Sequence, residues 1–327
     1  MRLLVLGGTH FLGRHVVTAA LERGHDVATF TRGVSGAPPE GARALRGDRD
    51  DPDALPAALD GWSPELVVDS SCQTRAAARN AAAVLSGARG YAFVSSLNAY
   101  AGWPPGPIGA EGDHPTWTTD DDEYGPIKAF AEREIGAAVG DGFLTARAGL
   151  IVGPHDPIYR LGWWLDRISR GGRVVVPAEG MAQPIALVDA RDLAAWLVGM
   201  AELGETGAVN ATGPAGLTTL GGLLEICREV AGCDAEWVPV PEEELLAAGV
   251  EEWVHLPLWL KREVARTAWD VDTLRARELG LVTRPLEATV ADTWAWMQTS
   301  ERPAPPAHRP APGLPPALEA RLLTVSR

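Results

Sequence analysis

Short apolar runs alternate with alanine-rich amphipathic stretches along the first two thirds of the chain. Residues 2–6, 26–31, 43–46, 66–69, 91–95, 143–148 and 208–210 are the candidate strands, and most of the stretches between them are alanine-rich and read as helical. Seven strands alternating with helices make an α/β fold with a doubly wound parallel sheet. After Gly153-Pro154 the pattern changes. Tyr159 to Ser169 reads as a helix, Arg173 to Val176 as a short strand, and Asp189 to Met200 as a helix returning to the core. Residues 213 to 298 read as mostly helical. The expected division is a core of residues 1–150 plus 186–212, a smaller lobe of 151–185 plus 213–300, and a tail of 301–327. Seven prolines in fourteen residues should keep Pro303 to Pro316 extended, with a short helix, Ala317 to Leu323, docking after it.

The first strand ends in Gly7-Gly8-Thr9-His10-Phe11-Leu12-Gly13, and a helical pattern follows to Gly24. Strand, glycine turn and helix form the dinucleotide-binding context. Gly7 permits the sharp turn, Gly13 lets helix and strand approach, and the helix N-terminus offers free N–H groups to a pyrophosphate.

Far downstream, Glu123-Tyr124-Gly125-Pro126-Ile127-Lys128 places a phenol and an ammonium four residues apart, on one helix face. A neighbouring cation lowers a phenol's pKa by roughly 1–3 units from ~10, towards the range useful for proton transfer. That is the chemistry of a carbonyl reductase or alcohol dehydrogenase. The acidic run Asp120 to Glu123 reads as favourable charge at a helix N-terminus rather than as catalytic, and Pro126 suits the first turn.

With Phe93-Val94-Ser95-Ser96-Leu97-Asn98-Ala99-Tyr100 between these two motifs, the chain resembles an extended short-chain dehydrogenase/reductase of the NAD-dependent epimerase/dehydratase family, from Met1 to about Thr212. The resemblance implies a Rossmann-type core and a substrate-binding lobe. It puts Ser96, four residues before Tyr100, at the family's catalytic hydroxyl, with Ser95 as the fallback, and makes Tyr124 the general acid/base and Lys128 its partner on the nicotinamide ribose. Implied cofactor contacts are Gly7, Thr9, His10, Phe11, Leu12 and Gly13 of the turn, Thr31 and Arg32 after the second strand, Asp48 and Arg49 at the adenine, and Ser70, Ser95, Lys128, Ala148 and Leu150. His10 departs from the pattern by replacing the middle glycine, and phosphate contact is expected of it. The Gly-Gly-Thr-x-Phe-x-Gly form also resembles an atypical branch that includes bacterial proteins of unassigned substrate and plant chloroplast RNA-binding members.

Thr31 stands where NAD-using members carry an acid, and Arg32 follows it. A threonine does not repel the extra phosphate of NADP and a guanidinium binds it, so NADP is preferred over NAD. Sugar-nucleotide members have an arginine where this chain has Ile185 and often an asparagine where it has Leu150, which points away from a nucleotide-linked sugar. Of 12 tryptophans, Trp103, Trp117, Trp163, Trp164 and Trp259 fall near the expected pocket and would suit a flat or apolar substrate. Trp163 and Trp164 are adjacent on one helix, so at least one should face the pocket or an interface.

Composition narrows the alternatives. A net charge of -14 without a Lys/Arg cluster argues against nucleic acid as the partner. Three cysteines form no bridge framework, and the seven histidines show no ligand spacing, so reduced thiols and no metal site are expected. The first strand begins at residue 2 without a leader and no run could span a bilayer, the pattern of a cytoplasmic protein with no membrane partner. A homodimer is common in families resembling this one. The sequence thus predicts an NAD(P)-dependent oxidoreductase acting on a secondary alcohol or ketone of a small molecule. A sugar epimerase or dehydratase is the alternative within enzymes, and a non-catalytic dinucleotide-sensing or RNA-binding relative the one outside them.

Overall fold

The computed structural model describes residues 1–303 and 310–325. Six strands come first: β1 (Arg2–Leu6), β2 (Asp26–Thr31), β3 (Arg43–Arg46), β4 (Leu66–Asp69), β5 (Gly90–Ser96) and β6 (Phe143–Ala148). β7 (Leu150–Val152), β8 (Gly172–Pro177), β9 (Pro184–Ile185) and β10 (Leu187–Asp189) form an excursion, β11 (Gly207–Ala211) returns, and β12 (Thr218–Thr219) and β13 (Ala235–Val240) follow. The central sheet runs β11-β6-β5-β4-β1-β2-β3, parallel throughout, so the strand order reverses between β1 and β4. Ligands of open α/β sheets bind outside the carboxyl ends of the strands at that reversal.

Helices α1 (Phe11–Glu22), α2 (Ala54–Leu59), α3 (Arg75–Leu85), α4 (Tyr124–Val139), α5 (Arg160–Ser169), α6 (Ala190–Leu203) and α7 (Leu220–Ala231) include those that cover the sheet. α1 and α6 share one apolar cluster with one face, while α2, α3 and α4 share another with the opposite face. Leu3, Leu4, Val5 and Leu6 are all fully buried, because a parallel sheet covered on both sides needs apolar residues at every position rather than at alternate ones. The seven core strands stand within a residue at each end of where the sequence predicts them, with β3 the largely exposed edge of the sheet. The Rossmann-type sheet with a largely helical C-terminal region is thereby observed.

A third cluster, centred on Trp164, Trp259, Leu223 and Val175, lies among α5, α7, the β8–β13 pair and the later helices. β13 pairs in parallel with β8 and was not expected in a helical stretch. Its six residues include Pro239, which masks the strand pattern. The docked helix is Pro316–Val325, longer than expected because Pro316 fits its first turn, and Leu314 and Leu322 are buried against the lobe. Residues 310–315 are non-helical, as expected of the proline-rich segment, of which 304–309 lie outside the described residues. The expectation for Trp163 and Trp164 is corrected: they are 6 % and 0 % exposed and pack edge to face in the lobe core. Both can be buried because Gly313 of the tail lies directly over the Trp163 indole, while Trp164 Nε1 donates to Pro257 O on the other side (2.6 Å).

Candidate active site

A cleft of about 560 Å³ opens at the carboxyl ends of β1, β4, β5 and β6, between the sheet and the lobe. The glycine turn lies before Phe11 and Leu12, which line the cleft. Gly7 and Gly8 have φ of 106° and 104°, a region that side chains avoid. A Cβ at Gly7 would stand 2.7 Å from Ser70 Oγ, one at Gly8 2.6 Å from Thr29 Cγ2, and one at Gly13 2.6 Å from the Gly8 nitrogen. The turn therefore folds back on itself around a hollow only glycines can leave, and it fits a dinucleotide diphosphate at the start of α1. Phe11, Leu12 and Ser70 line the cleft, with Ser70 Oγ donating to Leu6 O (3.1 Å). Thr9 is largely buried. His10 is the N-cap of α1 with extended backbone (φ -135°), and partial desolvation lowers its imidazole pKa below the usual histidine range.

Ser95 and Ser96 end β5, where side chains alternate faces. Ser95 Oγ donates to Glu132 Oε1 (2.5 Å), in a buried group completed by the Arg147–Glu132 ion pair (2.7 Å). Ser96 Oγ instead stays within its own turn, donating to Asn98 Oδ1 and accepting from the Asn98 N–H, both at 3.2 Å. Of the two hydroxyls, only that of Ser96 has no ionic partner.

Tyr124 opens α4, is 41 % exposed, and lines the cleft. Lys128, one turn on, is 2 % exposed; its ammonium donates to Val94 O (3.0 Å) and sits 5.6 Å from the Tyr124 ring centroid. Gly125 explains how α4 comes so close to the serine turn, since a Cβ there would lie 2.2 Å from Asn98 O. The structure brings Ser96, Tyr124 and Lys128 to one wall of the same cleft, alongside Ala148 and Leu150. The nearby acids Asp120 and Asp122 pair with Arg75 (3.4 Å each) rather than facing that wall.

At the far end of the sheet, Arg32 is exposed and Thr31 half-buried. The β2–β3 register sets Arg46 opposite Thr31, and its guanidinium donates to Thr31 Oγ1 (3.1 Å). Gly33 leaves room for it, since a Cβ there would stand 2.3 Å from Arg46 Nη1. Arg46 was not legible without that register. Asp48 is exposed, accepting from the Asp50 N–H (3.1 Å). The Arg49 side chain turns inward, forking onto fully buried Asp69 (2.6 and 2.7 Å) and reaching Ser71 Oγ (3.0 Å), so only its backbone is left to face an adenine. Its guanidinium is spent on holding β4, with Asp69 keeping it charged despite burial and Tyr91 OH completing the carboxylate's shell (3.0 Å).

Of the tryptophans predicted for the pocket, Trp103 lines it. Trp117 instead donates to Asn98 O (3.0 Å), and Trp163, Trp164 and Trp259 are lobe core. Trp253 and Trp269, which the sequence did not single out, complete the lobe wall. Among the described residues no group of three or more His, Cys, Asp or Glu could hold a metal ion, and no helix is long and apolar enough to cross a membrane.

Residues 3–212 match the family described as the NAD dependent epimerase/dehydratase family. The chain is 31% identical over 195 residues to the 2'-dehydrokanamycin reductase of Streptomyces kanamyceticus, covering 56% of this chain and 53% of that protein. It is 30% identical over 235 residues to a 3-diazoavenalumate denitrifying reductase of a Streptomyces species, covering 65% of this chain and 76% of that one. The chain thus spans about half the length of the first of these relatives. WbmG of Bordetella bronchiseptica, solved in complex with NAD, superposes with a TM-score of 0.70 at 19% identity over 91% of this chain and 94% of that one, a likeness of fold. With the family match spanning the sheet, the glycine turn and the Ser96, Tyr124, Lys128 wall, the chain belongs to the NAD-dependent epimerase/dehydratase family of enzymes.

Proposed function

We propose that this enzyme is a reductase that uses NADPH to convert a ketone of a small molecule to a secondary alcohol. The observation that carries the reading is the convergence of Ser96, Tyr124 and Lys128 on one cleft that Phe11 and Leu12, at the start of α1, also line. Both relatives described above are reductases by name, which favours that direction. Residues 1–150 with 186–212 hold the cofactor, and residues 151–185 with 213–300 hold the substrate.

When bound, the dinucleotide supplies the hydride. Ser96 donates a hydrogen bond to the substrate oxygen, and Tyr124 transfers its phenolic proton to that oxygen as negative charge develops. Lys128, anchored by Val94 O, stabilises the resulting phenolate and presents its remaining donors to the nicotinamide ribose. Solvent returns the proton to Tyr124, whose ring is partly exposed. Arg32 and Arg46, flanking Thr31, meet the 2′-phosphate of NADPH, and no carboxylate stands at the end of β2 to repel it.

Identification of the dinucleotide that co-purifies, followed by its redox response to a carbonyl library, tests the reading. Oxidation of NADPH by a subset of ketones is expected. Stoichiometric release of one tightly held NAD, with no net redox change on any carbonyl, would replace the reductase by an epimerase.

A further inference from the structure

We propose that residues 253–260 form the loop that sets substrate preference for a flat apolar ketone, and that Gln183 and Gly313 are the positioning residues that hold its shape. The proposal rests on the reading of the cleft as a carbonyl-reducing site and names what selects the substrate there.

The loop is rooted at some residues and meets the cleft at others. Leu256, Leu258 and Trp259 are fully buried in the lobe core, whereas Trp253 and Leu260, at its two ends, line the cleft. Trp253 stands beside Trp269, ring centroids 6.0 Å apart and planes 31° from parallel, so the loop completes a broad apolar surface on the lobe wall. Leu260 also lines a second hollow of about 340 Å³, together with Gln183 and Pro184. With open space on two sides, Leu260 is not held in place by packing alone.

Nor would the backbone choose this path unaided. Trp253 and Leu258 have φ of 67° and 73°, the left-handed region that large side chains avoid. Such conformations persist only where the surroundings over-determine them, and they collect at ligand clamps. The Trp253 N–H closes the loop on Trp259 O (3.0 Å), and the remaining ties come from far along the chain.

Gln183, buried between β8 and β9, uses both ends of its amide on the loop. Its Nε2 donates to Leu258 O (2.8 Å) and its Oε1 accepts from the Leu260 N–H (3.2 Å), which fixes the Leu260 end. Trp164 Nε1 donates to Pro257 O at the middle (2.6 Å). At the other end the Gly313 N–H donates to Val254 O (2.8 Å), the residue next to Trp253. Only glycine serves at 313, because φ is 118° and a Cβ there would lie 1.8 Å from Trp163 Nε1. Both cleft-lining ends of the loop are thus tied through backbone groups, one by Gln183 and one by the tail.

The test uses the NADPH-saturated enzyme and two probes, 2-acetonaphthone, whose rings need the lobe wall, and acetone, which has nothing beyond its methyl groups to touch it. Binding of 2-acetonaphthone is measured by calorimetry, reduction of both ketones by NADPH oxidation, and loop order by amide hydrogen exchange. Gln183→Met keeps the length of the side chain and the core roots of the loop but removes both bonds, so 2-acetonaphthone should bind roughly tenfold more weakly. Gly313→Ala should do the same, by displacing the donor to Val254 O. In both variants acetone kcat/KM and NADPH affinity should stay within about twofold, and exchange should quicken across 253–260 but not in β1 or β5. Glu319→Gln is the control, since it breaks the pair with Arg167 (2.6 Å) that holds the docked helix of the same tail to α5. It should lower Tm and leave 2-acetonaphthone binding unchanged. No binding of 2-acetonaphthone by the parent, unchanged binding in Gln183→Met, an equal loss for acetone, or a loss in Glu319→Gln matching that in Gly313→Ala overturns the proposal. Loop-dependent binding with neither ketone reduced would sink the reductase reading and leave this one standing, and reduction of both ketones with binding indifferent to Gln183 and Gly313 would do the reverse.

Discussion

Replacing Gly125 by alanine sets two effects of opposite sign against each other. Gly125 is the second residue of α4, and in a helix alanine is favoured over glycine by about 1 kcal/mol. Were propensity decisive, the variant would be more stable and as active. The structure predicts otherwise, because the new Cβ would lie 2.2 Å from Asn98 O, 2.9 Å from Trp117 Nε1 and 3.2 Å from Asn98 C. Ordinary contact starts near 3.4 Å and the nearest obstacle is backbone, so helix and serine turn must part by roughly 1 Å. Tyr124 precedes the substitution and Ser96 anchors the turn it strikes, so the separation falls between the two groups proposed to hold one substrate oxygen. A displacement of that size costs on the order of 10²-fold in rate, while overpacking of about 1–3 kcal/mol leaves the fold intact after the propensity gain is set against it. Steady-state kinetics on any ketone the enzyme reduces, with thermal unfolding and NADPH affinity measured in parallel, decide the matter. A variant with kcat within about threefold of the parent and a raised Tm would refute the argument that close approach at Gly125 builds the site.

Arg49→Gln should lower unfolding free energy by roughly 3–5 kcal/mol in chemical denaturation, because Asp69 is left buried and unpaired, and adding Asp69→Asn should recover part of it; a loss under about 1 kcal/mol would mean that the guanidinium is free to serve the adenine. Arg32→Ala and Arg46→Ala should each weaken NADPH relative to NADH by roughly 1.5–3 kcal/mol, and adding Thr31→Asp should reverse the preference; an unchanged ratio of dissociation constants removes the support for NADP. Burial raises the Asp156 carboxyl from 3.8 to about 6, so the native state holds its proton more tightly than the unfolded chain, and stability present below pH 3.8 is lost as pH rises through 6. Asp156→Asn should therefore unfold at higher temperature than the parent above pH 6, by up to about 3 kcal/mol, with the gain vanishing below pH 4; a pH-independent difference would show that the carboxyl is not the cause.

The parts of the molecule legible in the sequence are those set by local pattern or by the covered sheet. Residues 2–6 read as a strand because both faces are buried, and the glycine turn and the Tyr124–Lys128 spacing declare their geometry over a few residues. What was not legible depends on partners that the fold brings from afar. Arg49 turns inward because β4 delivers Asp69 to it, and Arg46 reaches Thr31 through the β2–β3 register. Trp163 is covered by Gly313, 150 positions on, which no helical wheel contains. Trp253 and Trp269 reach the cleft from a segment more than a hundred residues beyond Tyr124.

The central claim, that Tyr124 protonates a substrate oxygen as hydride is delivered, is tested most directly by single-turnover hydride transfer in Tyr124→Phe. The ring keeps the packing of α4 against the serine turn while the proton is lost, so NADPH affinity should stay within a few-fold of the parent and the transfer rate should fall by roughly 10²–10⁴. Hydride transfer at a rate comparable to the parent would contradict the account and leave the cleft without its acid.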